Sequence, residues 1–385
     1  MMSDIVYLDY AAATPLHPAA FRAMEPYFSD NFYNPSSPYA PAVEVRRAYE
    51  HAKEAIASVL GARSADLIMT AGATESINLA LTAAQDGHIV TTAIEHHAVL
   101  HATRNYDLTI VGVPRKGVVD PQAIAEAIQP STRVVSVALA NNEIGTIQPL
   151  REIADVVATE RKRRQQSGEN NGIWLHADAS QGVGQIDINL ARLGVDMLTL
   201  NAAKCYGPKQ VGLLWKRPEV PVKPLVFGGG QEMNLRSGTE NVAGVIGFSV
   251  ALEKVTQKRK SESKRLAELR DKLESALAGA DVGIDVTIAH KKRLPGSLHI
   301  YAEGIDAERV IFMLESKGVL VATGSACAAN SGTRSHVLDA IGLTPSQADG
   351  SLRITLGRNT TSEHIHHAAS AIIESIKSER ARIGA

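Results

Sequence analysis

Short apolar runs rich in β-branched residues alternate with amphipathic segments through the middle of this chain, and this alternation strongly limits the possible fold. Buried strands are predicted at 67–70, 88–92, 133–137, 173–177, 197–200 and 211–215. Between them, residues 124–128 and 150–158 have apolar side chains at helical spacing. Strands separated by helices build crossover units, so the sequence predicts an α/β fold with a mostly parallel sheet.

A second unit is predicted beyond residue 250. Residues 250–277 are highly charged with apolar residues at helical spacing, which predicts one long helix. Further strands are predicted at 297–300, 319–321 and 352–356. Because 385 residues are many for a single core, we expect two domains. The large domain would span 14–250, and the smaller C-terminal domain would span 251–385 together with residues 1–13.

Composition and charge argue against several classes of function. The formal net charge of −1 at pH 7 provides no electrostatic reason to expect nucleic acid or a membrane surface as a partner. Two cysteines are too few for a disulfide framework or a cysteine-based zinc site. The N-terminal residues lack the pattern of a signal peptide, and no apolar run approaches membrane-spanning length. We expect a cytoplasmic protein.

Cys327 lies in a stretch of small residues, 322–332, that offers almost nothing to pack. A structural cysteine behaves as a small hydrophobe and normally lies among larger apolar side chains. The stretch therefore predicts a loop that carries a reactive thiol to and from a site. The alternative is a chance cysteine in a polar turn.

An acidic and a basic residue follow neighbouring predicted strands. Asp178 follows the strand at 173–177, and Lys204 follows the strand at 197–200. The carboxyl ends of parallel strands line a ligand crevice, where a desolvated lysine offers a free amine. The pair indicates a pyridoxal phosphate site, in which the lysine forms a Schiff base and the carboxylate keeps the pyridinium nitrogen protonated. Taken alone, Asp178 could equally cap the following helix.

Other segments contribute candidate ligands. Residues 70–76 open a helix with small and hydroxyl-bearing side chains, which suits a phosphate but is also typical of an ordinary capped helix. His96 could stack on a cofactor ring or be a hydrogen-bonded surface histidine, and residues 141–146 could bond a ring substituent. Arg353 and Arg358 are candidates for a bidentate clamp on a substrate carboxylate.

Ordered motifs run along nearly the whole chain, at 7–15, 34–37, 72–76, 95–96, 141–145, 176–181, 204–209, 228–232, 236–241, 324–327 and 353–358. Together they resemble the group I, IscS/NifS-type cysteine desulfurases of the class V aminotransferase-like, fold type I enzymes. The resemblance implies a homodimer whose large domain carries a mostly parallel seven-stranded sheet and whose smaller α+β domain carries Cys327. It also implies pyridoxal 5'-phosphate as cofactor and conversion of L-cysteine to L-alanine.

The resemblance also implies roles for the cofactor ligands. Lys204 would form the Schiff base, and Asp178 would hold the pyridinium nitrogen. His96 would stack on the ring and help to move protons. Asn142 and Gln181 would contact the region of the ring oxygen.

For the phosphate and the substrate, the resemblance implies a second set of contacts. Ala73, Thr74 and Asn201 would lie at the phosphate, and Thr239 would reach the cofactor of the partner subunit. Cys327 would attack the substrate sulfur, become a persulfide and pass the sulfur to an iron–sulfur scaffold or a tRNA-thiolation relay. The substrate would be held by Arg353, Asn142 and Asn34.

The residues before the lysine depart from the family pattern. The family usually has Ser-Gly-His, whereas this chain has Asn201-Ala202-Ala203. Two phosphate donors are replaced, and Ala203 has no side-chain donor at all. We expect weaker cofactor retention, or compensation by Asn201 and a further group. Gln210 replaces the glycine usual after Gly-Pro-Lys, and Cys205 is predicted to be a buried packing residue.

The predicted function is a cysteine desulfurase, and two alternatives stay open. A selenocysteine lyase or another class V enzyme would share the cofactor, but those reactions need no thiol, so Cys327 favours the desulfurase. A cofactor-poor scaffold for sulfur-transfer partners is the second alternative. Only the departures at Asn201 and Ala203 support it.

Overall fold

Residues 5–289, 291–324 and 334–384 are described by the computed structural model of the chain, and Cys327 lies outside them. Among the described residues the strands are β1 (Val6–Tyr7), β2 (Leu67–Thr70), β3 (His88–Thr92), β4 (Leu108–Val111), β5 (Thr132–Ser136), β6 (Trp174–Asp178), β7 (Met197–Asn201), β8 (Gly212–Lys216), β9 (Asp285–Val286), β10 (Ser297–Tyr301), β11 (Val319–Leu320) and β12 (Ser351–Thr355). The α-helices are α1 (Pro18–Met24), α2 (Pro26–Ser29), α3 (Ala40–Leu60), α4 (Ala73–Leu81), α5 (His97–Ala102), α6 (Pro121–Ala127), α7 (Leu150–Gln166), α8 (Leu190–Leu193), α9 (Val242–Gln257), α10 (Arg259–Ala278), α11 (Ala307–Ser316), α12 (His336–Ala340), α13 (Pro345–Asp349) and α14 (Ser362–Ile383). None of these described helices combines the length and the apolar character needed to cross a lipid bilayer.

Within the described residues, the large sheet has seven strands in the order β2-β8-β7-β6-β5-β3-β4. Strands β4, β3, β5, β6 and β7 pair in parallel, whereas β8 pairs antiparallel with both β7 and β2. Because β2 then runs in the same direction as β7, its carboxyl end lies at the same edge as those of the parallel strands. The predicted α/β fold with a mostly parallel seven-stranded sheet is confirmed.

The predicted strands occur within one residue of their expected bounds, but two features of the chain differ from expectation. Strand β4 is absent from the prediction because it is a partly exposed edge strand, in which Ile110 is 50% exposed. The single helix predicted at 250–277 is wrong, because α9 and α10 are separated at Lys258 (φ −95°, ψ 0°). Helix α9 packs on α1 and α3 whereas α10 packs on α14, so the two helices have different principal neighbours.

Buried apolar side chains form three clusters in the described residues. Two of them cover opposite faces of the large sheet, since neighbouring residues such as Val134 and Val135 belong to different clusters. The third joins Val6 and Leu8 to residues between Leu266 and Ile376. It includes side chains of the β12-β10-β9 sheet and of the β1-β11 pair. The domain boundary near residue 250 stays a prediction.

A buried carboxylate fastens the segment after β8 to the body of the protein. The Glu232 side chain, 5% exposed, accepts hydrogen bonds from the Tyr49 hydroxyl, from Lys53 Nζ at 3.0 Å and from the Met69 amide at 2.8 Å. Tyr49 and Lys53 belong to α3, and Met69 belongs to β2. Three parts of the chain therefore converge on one side chain.

Replacing Glu232 with alanine is expected to lower the free energy of unfolding by about 3–5 kcal/mol, because the Lys53 ammonium stays buried without its partner. Chemical denaturation followed by circular dichroism measures the loss. Glu50→Ala on the same helix is the control, since Glu50 is 46% exposed and lies 3.6 Å from Arg46. This exposed pair should contribute less than about 1 kcal/mol. Equal, small effects of both substitutions would contradict the assigned role of Glu232.

Candidate active site

A cavity of about 300 Å³ lies at the carboxyl edge of the large sheet. Parallel strands end at one edge, so residues far apart in the sequence converge there. The lining residues lie at or after the carboxyl ends of β2, β3, β5, β6 and β7, in the segment after β1 and, with one residue, on β12. Its wall includes most of the residues predicted for the site: Ala73, Thr74, His96, Asn142, Asp178, Gln181, Asn201, Lys204 and Arg353.

Asp178 is the last residue of β6, and Lys204 follows the neighbouring strand β7, which pairs with β6 in parallel. The Lys204 Nζ donates hydrogen bonds to the carbonyls of Ala11 at 2.7 Å and Ala12 at 2.6 Å. Asp178 Oδ1 accepts a hydrogen bond from the Ser180 amide at 2.9 Å. The carboxylate therefore stabilises its own turn and also lines the cavity. The predicted acid–lysine pair is brought to one cavity.

His96 caps helix α5 and lies on the cavity wall. Its Nδ1 accepts a hydrogen bond from the Ala98 amide at 3.0 Å. Burial lowers the pKa of His96, and Lys204 lowers it further while Asp178 opposes the shift. A neutral imidazole whose Nδ1 is an acceptor carries its proton on Nε2. His96 is therefore a flat, neutral ring with one donor, which suits stacking on a planar cofactor and proton transfer.

Helix α4 begins at the cavity with Ala73 and Thr74. The chain enters this helix through Gly72, whose φ of 149° favours glycine. Strand β8 approaches the same turn so closely that a Cβ at Gly212 would lie 2.6 Å from the Gly72 backbone. Amides in the first turn have no acceptor within the helix, and the helix dipole is positive there. This end of the cavity therefore suits a phosphate.

The turn before Lys204 carries the two departures from the family pattern. Asn201 lines the cavity, and its Oδ1 accepts a hydrogen bond from the Ala203 amide at 3.1 Å. The Nδ2 hydrogens are therefore the donors that Asn201 can offer to a phosphate. The Ala203 carbonyl accepts hydrogen bonds from the amide and the hydroxyl of Thr14, at 3.1 and 2.9 Å. With alanine at 203, this turn has one side-chain donor fewer than the family pattern.

Arg353 is buried on β12, and it forms part of the cavity wall. Its Nη2 pairs with Asp9 Oδ1 at 2.7 Å, and its Nη1 donates to the Asn142 carbonyl at 3.3 Å. Arg358 lies instead in an adjoining cavity of about 520 Å³, where its guanidinium is 5.4 Å from the centre of the Tyr206 ring. Of the two candidate arginines, the structure brings Arg353 to the predicted cofactor cavity.

Three predicted residues are not on the described wall of this cavity. Cys327 lies outside the described residues. Asn34 is exposed, and its Oδ1 accepts a hydrogen bond from the Ser36 amide at 2.9 Å. Thr239 is exposed at a different cleft, which it shares with Thr70. The substrate contact of Asn34 and the role of Thr239 at a partner subunit stay predictions.

Buried carboxyl groups near the cavity were not predicted from the sequence. Glu95 accepts hydrogen bonds from the Thr92 hydroxyl and the Ala138 amide, and burial raises the pKa of Glu95 to about 8. Burial likewise raises the pKa of Glu143 to about 7. These two residues adjoin His96 and Asn142 in the sequence, and Asp9, which pairs with Arg353, lies in the motif at 7–15. All three acidic residues lie inside or beside motifs of the site, and this position in the sequence is the signal by which they could have been predicted.

Comparison with known proteins agrees with this geometry. The sequence pattern of the family Aminotransferase class-V matches residues 6–367. The cysteine desulfurase IscS of Dictyoglomus turgidum is 39% identical over 377 residues, which cover 95% of this chain and 93% of the relative. The cysteine desulfurase IscS 1 of Archaeoglobus fulgidus is 36% identical over 378 residues, which cover 93% of this chain and 94% of the relative.

Solved structures are similar over nearly the whole chain. A NifS-like protein aligns with a TM-score of 0.88 at 31% identity, over 97% of this chain and 100% of that protein. The structure described as SspA in complex with cysteine aligns with a TM-score of 0.78 at 32% identity, over 91% and 98% of the two chains.

The chain belongs to the class V aminotransferase family, and it shares its fold with a NifS-like protein. Enzymes of this family depend on pyridoxal phosphate, which is therefore its cofactor. Within the family, the chain is similar to the IscS/NifS-type cysteine desulfurases.

The residues of the cavity fit pyridoxal phosphate. Lys204 offers an amine for the aldehyde, and Asp178 offers a carboxylate for the pyridine nitrogen. His96 offers a flat ring for the ring face, and the start of α4 offers backbone amides for the phosphate. The mismatch is the donor missing at Ala203, in the turn that ends at Lys204.

Histidine at position 203 is expected to strengthen cofactor retention about tenfold or more, because a hydrogen bond to a charged group contributes about 1.5–3 kcal/mol. Titration of cofactor-free protein with pyridoxal phosphate gives the dissociation constants of the wild type and of Ala203→His. Ala203→Leu adds bulk without a donor and should show no gain. An unchanged affinity in the histidine variant would mean that other groups already compensate, and the prediction would be wrong.

Proposed function

We propose that this protein is a cysteine desulfurase, which removes the sulfur of L-cysteine and forms L-alanine. The observation that carries the proposal is the shared cavity wall of Lys204, Asp178 and Arg353. A lysine and a carboxylate that suit the cofactor share this cavity with a cation that suits a carboxylate, and this combination supports an amino-acid substrate. Relatives that are 39% and 36% identical bear the name cysteine desulfurase.

The residues of the cavity have different proposed roles, which follow from their chemistry. Arg353 binds the substrate carboxylate with N–H groups that remain after its contacts with Asp9 and Asn142, since a guanidinium has five. Pyridoxal phosphate, when bound, draws electron density away from the substrate carbons and so weakens the carbon–sulfur bond. Lys204 Nζ and His96 Nε2 hold and move protons at the cavity wall.

Cys327 is the proposed acceptor of the sulfur. Its thiolate attacks the substrate sulfur, a sulfur–sulfur bond forms, and the carbon–sulfur bond breaks. The electron pair stays on the substrate carbon, which takes up one proton and becomes the methyl group of alanine. Cys327 is then a persulfide. Cys205 cannot take this role, because burial raises the pKa of its thiol to about 12 and the thiolate is the nucleophile.

The persulfide requires a second protein to receive its sulfur. We propose an iron–sulfur scaffold protein or a tRNA-thiolation relay protein as the acceptor. We also propose a cytoplasmic location, because a reducing compartment keeps a thiol such as Cys327 available for the next cycle.

The test is the product balance from L-cysteine with a thiol reductant present. We expect sulfide and alanine in equal amounts, and we expect both to depend on added pyridoxal phosphate in the cofactor-free protein. A selenocysteine lyase would release alanine from L-selenocysteine and not from L-cysteine. A scaffold would release alanine from neither. Either of these results would overturn the proposal.

The proposed enzyme is a homodimer. Large aromatic side chains are exposed on the segments 28–39 and 225–240, where Phe227 is 81% exposed. Arg46 connects the two segments, since it donates to the Pro35 carbonyl at 3.1 Å and pairs with Glu240 at 3.1 Å. Thr239 belongs to the same face. Exposed apolar surface of this kind typically marks a protein interface.

Sedimentation equilibrium is expected to give twice the chain mass of 41.1 kDa at micromolar concentration. The mass of a single chain across that range would contradict the homodimer. It would also remove the basis for the predicted contact of Thr239 with the cofactor of the partner subunit.

A further inference from the structure

The N-terminal segment connects the two cations of the active site. The carbonyls of Ala11 and Ala12 accept hydrogen bonds from Lys204 Nζ, and Asp9 pairs with Arg353. Lys204 follows β7 of the large sheet, whereas Arg353 lies on β12 of the three-stranded sheet. Residues 9–12 therefore link the amine side of the site to its carboxylate side.

Hydrogen bonds hold the backbone of this segment at Ala11 and at Thr14. The Ala11 amide donates to the Thr355 hydroxyl on β12 at 2.9 Å. Beyond Ala12, the Thr14 amide and hydroxyl both donate to the Ala203 carbonyl, in the turn that ends at Lys204. The segment is thus attached to the strand of Arg353 and to the turn of Lys204. Its position depends on both sheets at once.

The Arg353 guanidinium is held mainly through Asp9. The Arg353 side chain is 2% exposed, and the Asp9–Arg353 contact of 2.7 Å is a close ion pair. The contact of Nη1 with the Asn142 carbonyl is longer, at 3.3 Å, and Nε has no hydrogen-bond partner among the described residues. Burial raises the pKa of Glu143, and the nearby Arg353 charge only partly opposes that rise; no hydrogen bond joins the two side chains in the described residues. Asp9 is therefore the strongest fixed contact of the guanidinium.

We propose that Asp9 is a positioning residue for recognition of the substrate carboxylate. By holding Nη2, Asp9 fixes the guanidinium of Arg353 relative to Lys204, so that the site prefers amines that carry an α-carboxylate. The inference rests on the amino-acid substrate of the proposed function.

Asp9 has two opposing effects on carboxylate binding. Its negative charge repels a second carboxylate, so its removal would tighten binding. Its hydrogen bond holds the guanidinium in place, and a displacement of about 1 Å in a positioning group can cost about a hundredfold. Positioning outweighs repulsion here, because a buried guanidinium that loses its partner moves toward other acceptors. Asparagine at position 9 separates the effects, since it keeps the acceptor oxygen and removes the charge.

The experiment compares two ligands that differ only in the carboxylate, L-alanine and ethylamine. The dissociation constant of each is measured from the absorbance change of the cofactor-loaded protein, and KM and kcat are measured with L-cysteine. In Asp9→Ala we expect about a tenfold or larger rise in the dissociation constant of L-alanine. The value for ethylamine should stay within about twofold, KM should rise, and kcat should stay within about threefold.

Conservative variants distinguish positioning from a general structural role. Asp9→Asn should bind L-alanine within about threefold of the wild type, because the hydrogen bond is kept. Tyr7→Phe removes a hydroxyl that donates to the carbonyls of Asp9 at 2.8 Å and Ala13 at 3.0 Å, leaves the ion pair in place and should leave the ligand ratio unchanged. If Asp9→Ala does not fold, Asp9→Glu replaces it in the experiment. This variant keeps the charge and displaces the carboxylate by one methylene, so it should weaken the binding of L-alanine and not that of ethylamine.

Equal changes for L-alanine and ethylamine in Asp9→Ala or Asp9→Glu would overturn the inference. So would an Asp9→Asn variant as impaired as Asp9→Ala. The binding measurements do not require turnover, so the proposed role of Asp9 and the proposed desulfurase function can each fail without the other. If the wild type produced no sulfide but the ligand ratio changed as expected, the desulfurase function would be wrong and the role of Asp9 would stand.

Discussion

Replacing Lys204 with alanine is expected to abolish the yellow absorbance of the bound cofactor and to lower alanine production from L-cysteine at least about a thousandfold. In the proposed mechanism the side chain provides the amine for covalent attachment, and its Nζ also carries protons at the cavity wall. Alanine removes both functions at once. Ultraviolet–visible spectroscopy of the purified protein measures the first effect, and product assays with added pyridoxal phosphate measure the second.

Cys205→Ala is the matched control for this substitution. Cys205 is the next residue along the chain, and its side chain is 1% exposed in the core. The variant should keep the absorbance band and most of the activity, because burial keeps this thiol protonated and away from the substrate. If Lys204→Ala kept the band and the activity, the assignment of the cofactor-binding lysine would be wrong.

Replacing Cys327 with serine should lower the release of sulfide and alanine on the order of a thousandfold while the cofactor band stays. A serine hydroxyl is protonated near neutral pH and cannot replace a thiolate as a nucleophile toward sulfur. The expected result is therefore a protein that binds pyridoxal phosphate and L-cysteine but does not turn over. Single-turnover assays with sulfur-labelled L-cysteine detect the persulfide directly, since the label should stay on the wild-type chain and not on the variant.

Cys205→Ala is again the control, because it removes the second of the two cysteines and should still carry the sulfur label. The opposite pattern, with the label lost in Cys205→Ala and kept in Cys327→Ser, would place the persulfide on Cys205. The assignment to Cys327 would then be wrong. Full activity of Cys327→Ser in the presence of reductant would contradict the persulfide mechanism itself.

The sheet and the cofactor cavity could be predicted from the sequence because both depend on local patterns. Each strand of the parallel core is a short β-branched run, and its carboxyl end is the point where the run stops. Asp178 and Lys204 follow two such runs, and they line the same cavity. Their residue types match what a pyridoxal phosphate site needs, a lysine for the Schiff base and a carboxylate for the pyridinium nitrogen.

Features that depend on neighbouring elements could not be predicted in the same way. Residues on both sides of Lys258 have helical spacing, and no glycine or proline marks the break between α9 and α10. Strand β4 is short and partly exposed, so its pattern is weak. Glu95 is an ordinary acid in the sequence, and its pKa is raised to about 8 by burial together with the nearby charge of Asp178, both of which depend on the fold.

The sequence by itself determined which reactive groups the chain has and which strand ends carry them. The tertiary structure decided which of these groups meet. Asp9 and Arg353 are 344 positions apart, and Ala11 and Lys204 are 193 positions apart. No periodicity connects positions so distant. Their contacts exist because the N-terminal segment pairs with β12 and passes beside the turn after β7, and packing of that kind is a property of the whole fold.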